Sequence, residues 1–224
     1  MFQGYSNETF EFFMAIRFNN NRPFFPDNHD WYLRAVREPS LLLAQDLNAL
    51  MEEIDPEIER RPQRVVCRIN RDVRFSKDKS PYRDHVWMSF RRPYPDRGGM
   101  PCFYFHLGAD GGEYGMGFYR ENRLMMDNLR ARMAARPQEM ISLLNDLKDY
   151  LLGVDQRVRL QLPENLPEEL SAIYRARSLY FFKNCVDFEL IKSAKLAEVL
   201  TDGFRRLAPI YRYIVNFLPE EGLE

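Results

Sequence analysis

The sequence predicts an α+β fold in one domain spanning residues 1–224, with a mainly antiparallel sheet from the middle of the chain packed by N-terminal and C-terminal helices. Three observations carry that reading. The first third repeats its apolar residues at helical spacing, the middle changes to two-residue alternation between short Pro/Gly-rich turns, and helical spacing returns after residue 121. No linker interrupts the chain, and 45% hydrophobic with 14% aromatic residues supply a substantial core. Disorder is excluded as the main state.

Ser6 or Asn7 caps a first helix carrying Phe10, Phe13, Met14 and Arg17, which stops at Asn19-Asn20-Asn21 and Pro23. Asp27 caps a second, with Asp30 three residues on, running through Trp31 and Val36 to Pro39. Ser40 opens a third, in which Leu43, Leu47, Leu50 and Ile54 keep one face until Asp55-Pro56. Val65, Cys67 and Ile69 then alternate with Val66, Arg68 and Asn70 as in a strand. Residues 85–90, 102–107 and 113–119 are further strands, and their short connections favour hairpins. Helices follow over 121–136 and, after Pro137, over 138–152. Strands are expected near 157–162 and 178–186. The last helix starts at Ser193, with Leu196, Leu200, Leu207, Tyr211, Ile214 and Leu218 on one face and a kink or break at Pro209.

The formal net charge of −1 conceals a division. Residues 60–97 carry twelve Lys/Arg against four Asp, a segment of +8, so the remainder is −9. Cys67, Cys102 and Cys185 show no Cys-x-x-Cys spacing, which fits a reducing cytosol, and the chain is expected to be cytoplasmic, with no signal peptide and no membrane span.

The basic segment concentrates in Arg71-Asp72-Val73-Arg74-Phe75-Ser76-Lys77-Asp78-Lys79-Ser80-Pro81-Tyr82-Arg83. Continuing the alternation places Arg71 on a face with Val65, Cys67, Ile69, Val73 and Phe75. A guanidinium there needs an anion, either a protein carboxylate such as Asp78 or a bound carboxylate or phosphate. Arg68, Arg74, Lys77 and Lys79 fall on the other face or on the following loop. Ser76 to Pro81 has turn chemistry, so it is either a polar lock or a cradle of N–H groups for an anion. It lacks the glycines of a phosphate loop.

Tyr104 and His106 share a strand face, and Gly115 and Gly117 share one on the next strand, a bare strip where another backbone, an aromatic ring or a ligand can lie close. His106 is a candidate acid–base residue. Asp72 and Asp78 are paired carboxylates that neighbouring cations keep ionised, which suits a salt-bridge network better than general-acid work. The histidines have no metal spacing, so no metal site is expected, and no cofactor is named by the residues.

Several motifs together resemble one family. They are Asn20-Asn21-Arg22-x-Phe24-Phe25 before a helix with Tyr32, the block Arg68-Ile69-x-Arg71 through Tyr82, Tyr104-Phe105-His106-Leu107, Gly115-x-Gly117-x-Tyr119, and Phe204-x-x-Leu207-x-Pro209. Over nearly its full length the chain resembles the bacterial domain-of-unknown-function family 2461. The resemblance implies a single α+β domain of uncharacterised activity. It also implies a tryptophan where this chain has Phe24, a lysine at the position of Arg83, and a basic, glycine-containing segment where residues 162–169 are acidic.

The first expectation for function is a site on one sheet face that binds, and can act on, an anionic small molecule. Arg68, Arg71, Arg74, Ser76, Lys77 and Lys79 would hold the anion, Tyr82, Tyr104 and His106 would orient the rest, and Asp72 and Asp78 would fix the cations. A second is nucleic-acid binding by the 60–97 segment with Trp87, Tyr94 or Phe103 stacking on bases. In a third the motif is a structural lock, and function lies in a partner surface near Tyr180-Phe181-Phe182. Whether the protein is an enzyme, and how many copies assemble, is left open by the sequence.

Overall fold

A computed structural model describes residues 1–93, 99–156 and 160–216. In chain order the helices α1 (Asn7–Phe18), α2 (Phe24–Asp27), α3 (His29–Tyr32), a π-helical turn (Leu33–Arg37), α4 (Glu38–Asp46), α5 (Asn48–Ile54) and α6 (Pro62–Val65) come first. Strands β1 (His85–Phe90), β2 (Pro101–Gly108) and β3 (Gly111–Phe118) follow, then α7 (Arg123–Ala135), α8 (Pro137–Asn145) and β4 (Leu151–Gln156). A 3-10 turn (Glu168–Leu170), α9 (Ser171–Arg175), β5 (Ala176–Cys185), α10 (Phe188–Ile191) and α11 (Lys195–Val215) complete the chain. The strands form one antiparallel sheet in the order β1-β2-β3-β5-β4, and the class is α+β as the sequence predicts. No helix among the described residues is long and apolar enough to cross a membrane.

The backbone packs as two compact units. Unit 1 comprises Met1–Phe90, Tyr104–Tyr114 and Asn184–Asp202. Its α1 begins at Ser6, whose N–H donates to the Thr9 hydroxyl at 3.2 Å. Thr9, Phe12, Phe13 and Ile16 form the buried stripe, at i, i+3, i+4 and i+7. Met14 lies one residue beyond that stripe and is exposed, which corrects the face expected from Phe10, Phe13 and Met14.

Pro39 does not end a helix either. A proline inside a helix leaves the carbonyl four residues back without a donor. Here that oxygen belongs to Ala35, and the Thr9 hydroxyl donates to it at 2.6 Å. The chain widens into the π turn just before the proline, and α4 carries on through it. Ser40, expected to open a helix, is instead buried within α4, donating to the Val36 carbonyl at 2.6 Å and paired with the Tyr5 hydroxyl at 2.9 Å.

The strand expected over 65–70 is absent. Val65 closes α6, and the buried residues are Val65, Val66 and Ile69, a spacing that no pleated strand produces. Among the described residues its β pairing is confined to the isolated bridges Val66↔Met88 and Asn70↔Tyr82. The β2–β3 turn ends in Gly111 at φ +115°, a conformation that disfavours a side chain.

Unit 2 comprises Arg91–Phe103, Gly115–Lys183 and Gly203–Glu224. Phe103 packs against Phe204 and Tyr211 at ring separations of 5.5 and 4.9 Å. The Asn122 side chain caps α7, accepting from the Met125 N–H at 3.1 Å. Arg130 is only 5% exposed, and its guanidinium donates to the Tyr174 and Ala176 carbonyls and to Asp127, tying α7 to the start of β5. Residues 151–152, expected to finish a helix, begin β4 instead, and 157–159 of the expected next strand lie outside the described residues. β4 pairs antiparallel with β5 in the register Leu151↔Phe182 to Asp155↔Ser178, where the ladder shifts. Pro209 sits inside α11, which continues past it; Leu218, expected on that helix, lies outside the described residues.

Candidate functional site

The basic block folds into a loop that mostly answers its own charges. Arg71, half-buried, is ion-paired with Asp78, whose other oxygen accepts the Ser80 N–H at 2.9 Å. Arg74 grips Asp72 through Nε at 2.9 Å and a terminal nitrogen at 2.7 Å, and Asp72 also accepts the Arg74 N–H. Lys79 Nζ donates to the Val73 carbonyl at 3.0 Å. Hydrogen bonds from Arg74 hold the Asp72 carboxyl down at about 2, and those from Arg71 and then Ser80 hold Asp78 well below the ordinary carboxylate range. Both acids therefore stay ionised and serve as braces rather than proton donors. Arg68 and Lys77 are exposed and form no ion pair among the described residues, and Ser76 gives its N–H to the Val73 carbonyl.

The base of the loop is clamped. The Asn20 side chain donates to the Tyr82 carbonyl at 2.9 Å and accepts the Tyr82 N–H at 3.0 Å, while the buried Tyr82 ring meets Phe25 at 4.7 Å and Phe25 meets Tyr32 at 5.4 Å. Asn20, Phe25 and Tyr32 thus act on the basic block from the far side of a long sequence gap. Tyr82 orients the chain and is not open to a ligand.

A second cluster lies where β1, β2 and β3 present alternate residues of one face. His85 and Trp87 come from β1, Tyr104 and His106 from β2, Glu113 from β3. The Trp87 and Tyr104 rings stack at 4.9 Å and 6°, and the Tyr104 hydroxyl donates to Glu113 at 2.5 Å. The His85 and His106 rings are 4.7 Å apart. Asp84 lies 3.1 Å from His85 Nδ1, and Arg17 holds the other Asp84 oxygen at 2.9 Å while also reaching Asp110 at 2.9 Å.

Burial raises the Asp84 carboxyl, but hydrogen bonds from Arg17 and His85 outweigh it, so Asp84 is held low and ionised. An ionised acceptor at Nδ1 places the His85 proton there and leaves the Nε2 lone pair available. Burial lowers both imidazoles against their ordinary value; His106 falls to about 4, helped by His85, and the cations Arg83 and Arg71 push His85 down against the pull of Asp84. Both rings are neutral at pH 7.

Arg83 is the half-buried cation of the block that meets no carboxylate among the described residues. Its Nε is shielded from solvent and has no hydrogen-bond partner among the described residues, and its side chain forms no ion pair there. Its charge reaches His85, two residues on. By contrast, a unit 2 cavity of about 350 Å³ is lined by Leu143, Asp146, Leu147, Arg206, Pro209 and Ile210, and there Arg206 is matched by Asp149 at 2.6 and 2.7 Å.

The conserved hypothetical protein family DUF2461 matches residues 8–213. The chain belongs to that family. No curated protein matches it. In this DUF2461 protein the candidate residues separate into two groups. Arg68, Arg71, Arg74, Ser76, Lys77, Lys79, Asp72 and Asp78 belong to the loop, and Tyr104 and His106 to the sheet end. Sequence reasoning passed over Asp84, His85 and Arg17, although Asp84-His85 stands at a strand start, a place where an acid and an imidazole can meet. No sequence signal marked Arg17, 67 residues from Asp84.

The bare strip at Gly115 and Gly117 is occupied by β5. A Cβ there would fall 2.2 Å from the Phe181 carbonyl oxygen and 2.4 Å from that of Leu179. Of the aromatics expected to stack on bases, Phe103 is fully buried, Trp87 is engaged by Tyr104, and Tyr94 lies outside the described residues. Phe181 is likewise buried, and Tyr180 beside it is 38% exposed. Among the described residues no group of His, Cys, Asp or Glu could hold a metal ion.

Proposed function

We propose that this protein binds a small anionic molecule, a carboxylate or phosphate, at the sheet end of unit 1 and exchanges a proton with it. Arg83 holds the anion; His85 Nε2 takes up or returns the proton; Asp84 fixes the tautomer, and Arg17 fixes Asp84. The observation that carries this reading is Arg83: its Nε is shielded and without a hydrogen-bond partner among the described residues, and its charge falls on His85, whose neutral ring lies 4.7 Å from that of His106. An unanswered cation of that kind is costly, and an anionic ligand removes the cost. A neutral imidazole beside a bound anion is poised to accept a proton and becomes more basic once the negative charge arrives. The loop at 71–80 is a scaffold in this reading and binds nothing at its ion pairs.

Inorganic phosphate and malonate serve as probes, with thermal unfolding and histidine NMR titration as readouts. Either anion should raise Tm and move the His85 titration upward. Arg83→Met should abolish both effects with the fold intact, whereas Arg74→Ala should leave both unchanged. An anion-induced shift that survives Arg83→Met, or no shift at all in the unaltered protein, rules the reading out.

A further inference from the structure

We propose that the tip of the 71–80 loop docks single-stranded nucleic acid, with Phe75 as the platform on which a base stacks. Phe75 is 95% exposed. The loop that carries it is braced by Arg71–Asp78, by the two-point Arg74–Asp72 pair, and by the Lys79 bond to the Val73 carbonyl. A slack loop would leave the ring free to fold back onto apolar surface; this one holds it in water.

The Arg74 guanidinium lies 5.8 Å from the ring centroid and is the ring's one aromatic or cationic contact among the described residues, so the opposite face is open. Residues 68–79 carry five cations (Arg68, Arg71, Arg74, Lys77, Lys79) against Asp72 and Asp78. Both acids remain ionised and both are taken by arginines, which leaves Arg68, Lys77 and Lys79 exposed without a carboxylate partner.

A ring with one open face, on a loop that also carries Lys77 and Lys79 without carboxylate partners, matches a chain that alternates flat bases with phosphates. An anionic bilayer fits less well. Phe75 is flanked by Arg74, Ser76 and Lys77, so its sequence neighbours add no apolar area to the ring, and inserting the ring would carry the Arg74–Asp72 pair out of water. This site is separate from the sheet end and does not depend on it.

The test uses the full chain with a fluorescein-labelled oligothymidylate or oligouridylate, read by anisotropy at several salt concentrations. Binding should weaken linearly on a log–log salt plot. Phe75→Ala should lower affinity about ten-fold at an unchanged salt slope, because stacking carries no counterions. Lys77→Ala should reduce the slope by about 0.7. Circular dichroism should show Phe75→Ala folded, since the ring packs against nothing in the core. Absence of binding at low salt overturns the proposal, as does wild-type affinity in Phe75→Ala. Phe75-dependent attachment to phosphatidylserine vesicles without oligonucleotide binding overturns it in favour of a membrane.

Discussion

Between residues 71 and 80 each carboxylate meets a guanidinium, whereas at the sheet end three residues later the Arg83 Nε is shielded and has no partner among the described residues. The two regions hold the same side-chain types in opposite states. In the loop, charge is abundant and the surrounding water screens it, so pairing is cheap to make and cheap to lose. At the sheet end, charge is sparse and partly desolvated, so each imbalance matters more. Density of charged residues along a chain therefore says little about how shielded or how well matched each charge is in the fold.

The largest expected effect falls on the base of the loop. Tyr82→Ala removes a buried ring from Phe25 and should cost about 3 kcal/mol in urea unfolding, in the range for truncating a core aromatic. Asn20→Ala removes two hydrogen bonds to the Tyr82 backbone and should cost about 2 kcal/mol by the same measurement. Both variants should retain the far-UV spectrum of the folded chain. If either proves neutral, the loop is not anchored at its base and its ordering must come from the ion pairs.

Much of this architecture was legible before any coordinates. The strands near 85–90, 102–107 and 113–119 are set apart by Pro/Gly-rich turns, and Pro137 marks the start of α8. Failures came where a distant group changed a local rule. Pro39 reads as a helix end because its missing N–H should leave Ala35 unsatisfied, and nothing near it in sequence reveals that Thr9 supplies the donor. Gly115 and Gly117 read as a strip that a backbone, a ring or a ligand could approach, and which of the three does so depends on β5, some 60 residues on. Val65, Cys67 and Ile69 mimic a strand, yet Val66 is buried too. The charge of the basic block and the shared face of Tyr104 and His106 are legible in the sequence; which of the block's cations meets an acid is three-dimensional.

Acidification gives a smaller effect that separates the two regions. Burial depresses His85 and His106, the latter to about 4, while an unfolded chain titrates its histidines near 6.5. Between those values the unfolded chain binds protons that the folded chain refuses. Stability is therefore full above about pH 6.5 and declines as pH falls toward 4. Asp72, Asp78 and Asp84 are depressed carboxylates, whose contribution is present above the ordinary carboxylate pKa and is lost only as pH falls through their lowered values. Hence Tm should already drop from pH 6.5 to 5, and His106→Gln should flatten that part of the curve. A flat wild-type curve there means the imidazoles are not desolvated, and the contrast between the regions disappears.

The smallest effect belongs to Asp72 and Arg74. Both are open to water, so Asp72→Asn should leave the urea midpoint where it is, although the pair has two-point geometry. The pair should nevertheless be visible spectroscopically, because Arg74→Ala removes the hydrogen bonds that hold the Asp72 carboxyl at about 2, and its NMR titration should return toward about 3.9. A silent midpoint with a mobile titration is the signature of a surface brace. Should Asp72→Asn instead destabilise the chain more than Asn20→Ala, the ion pairs and not the Tyr82 clamp would be ordering the loop, and the loop would have to be regarded as part of the core's support.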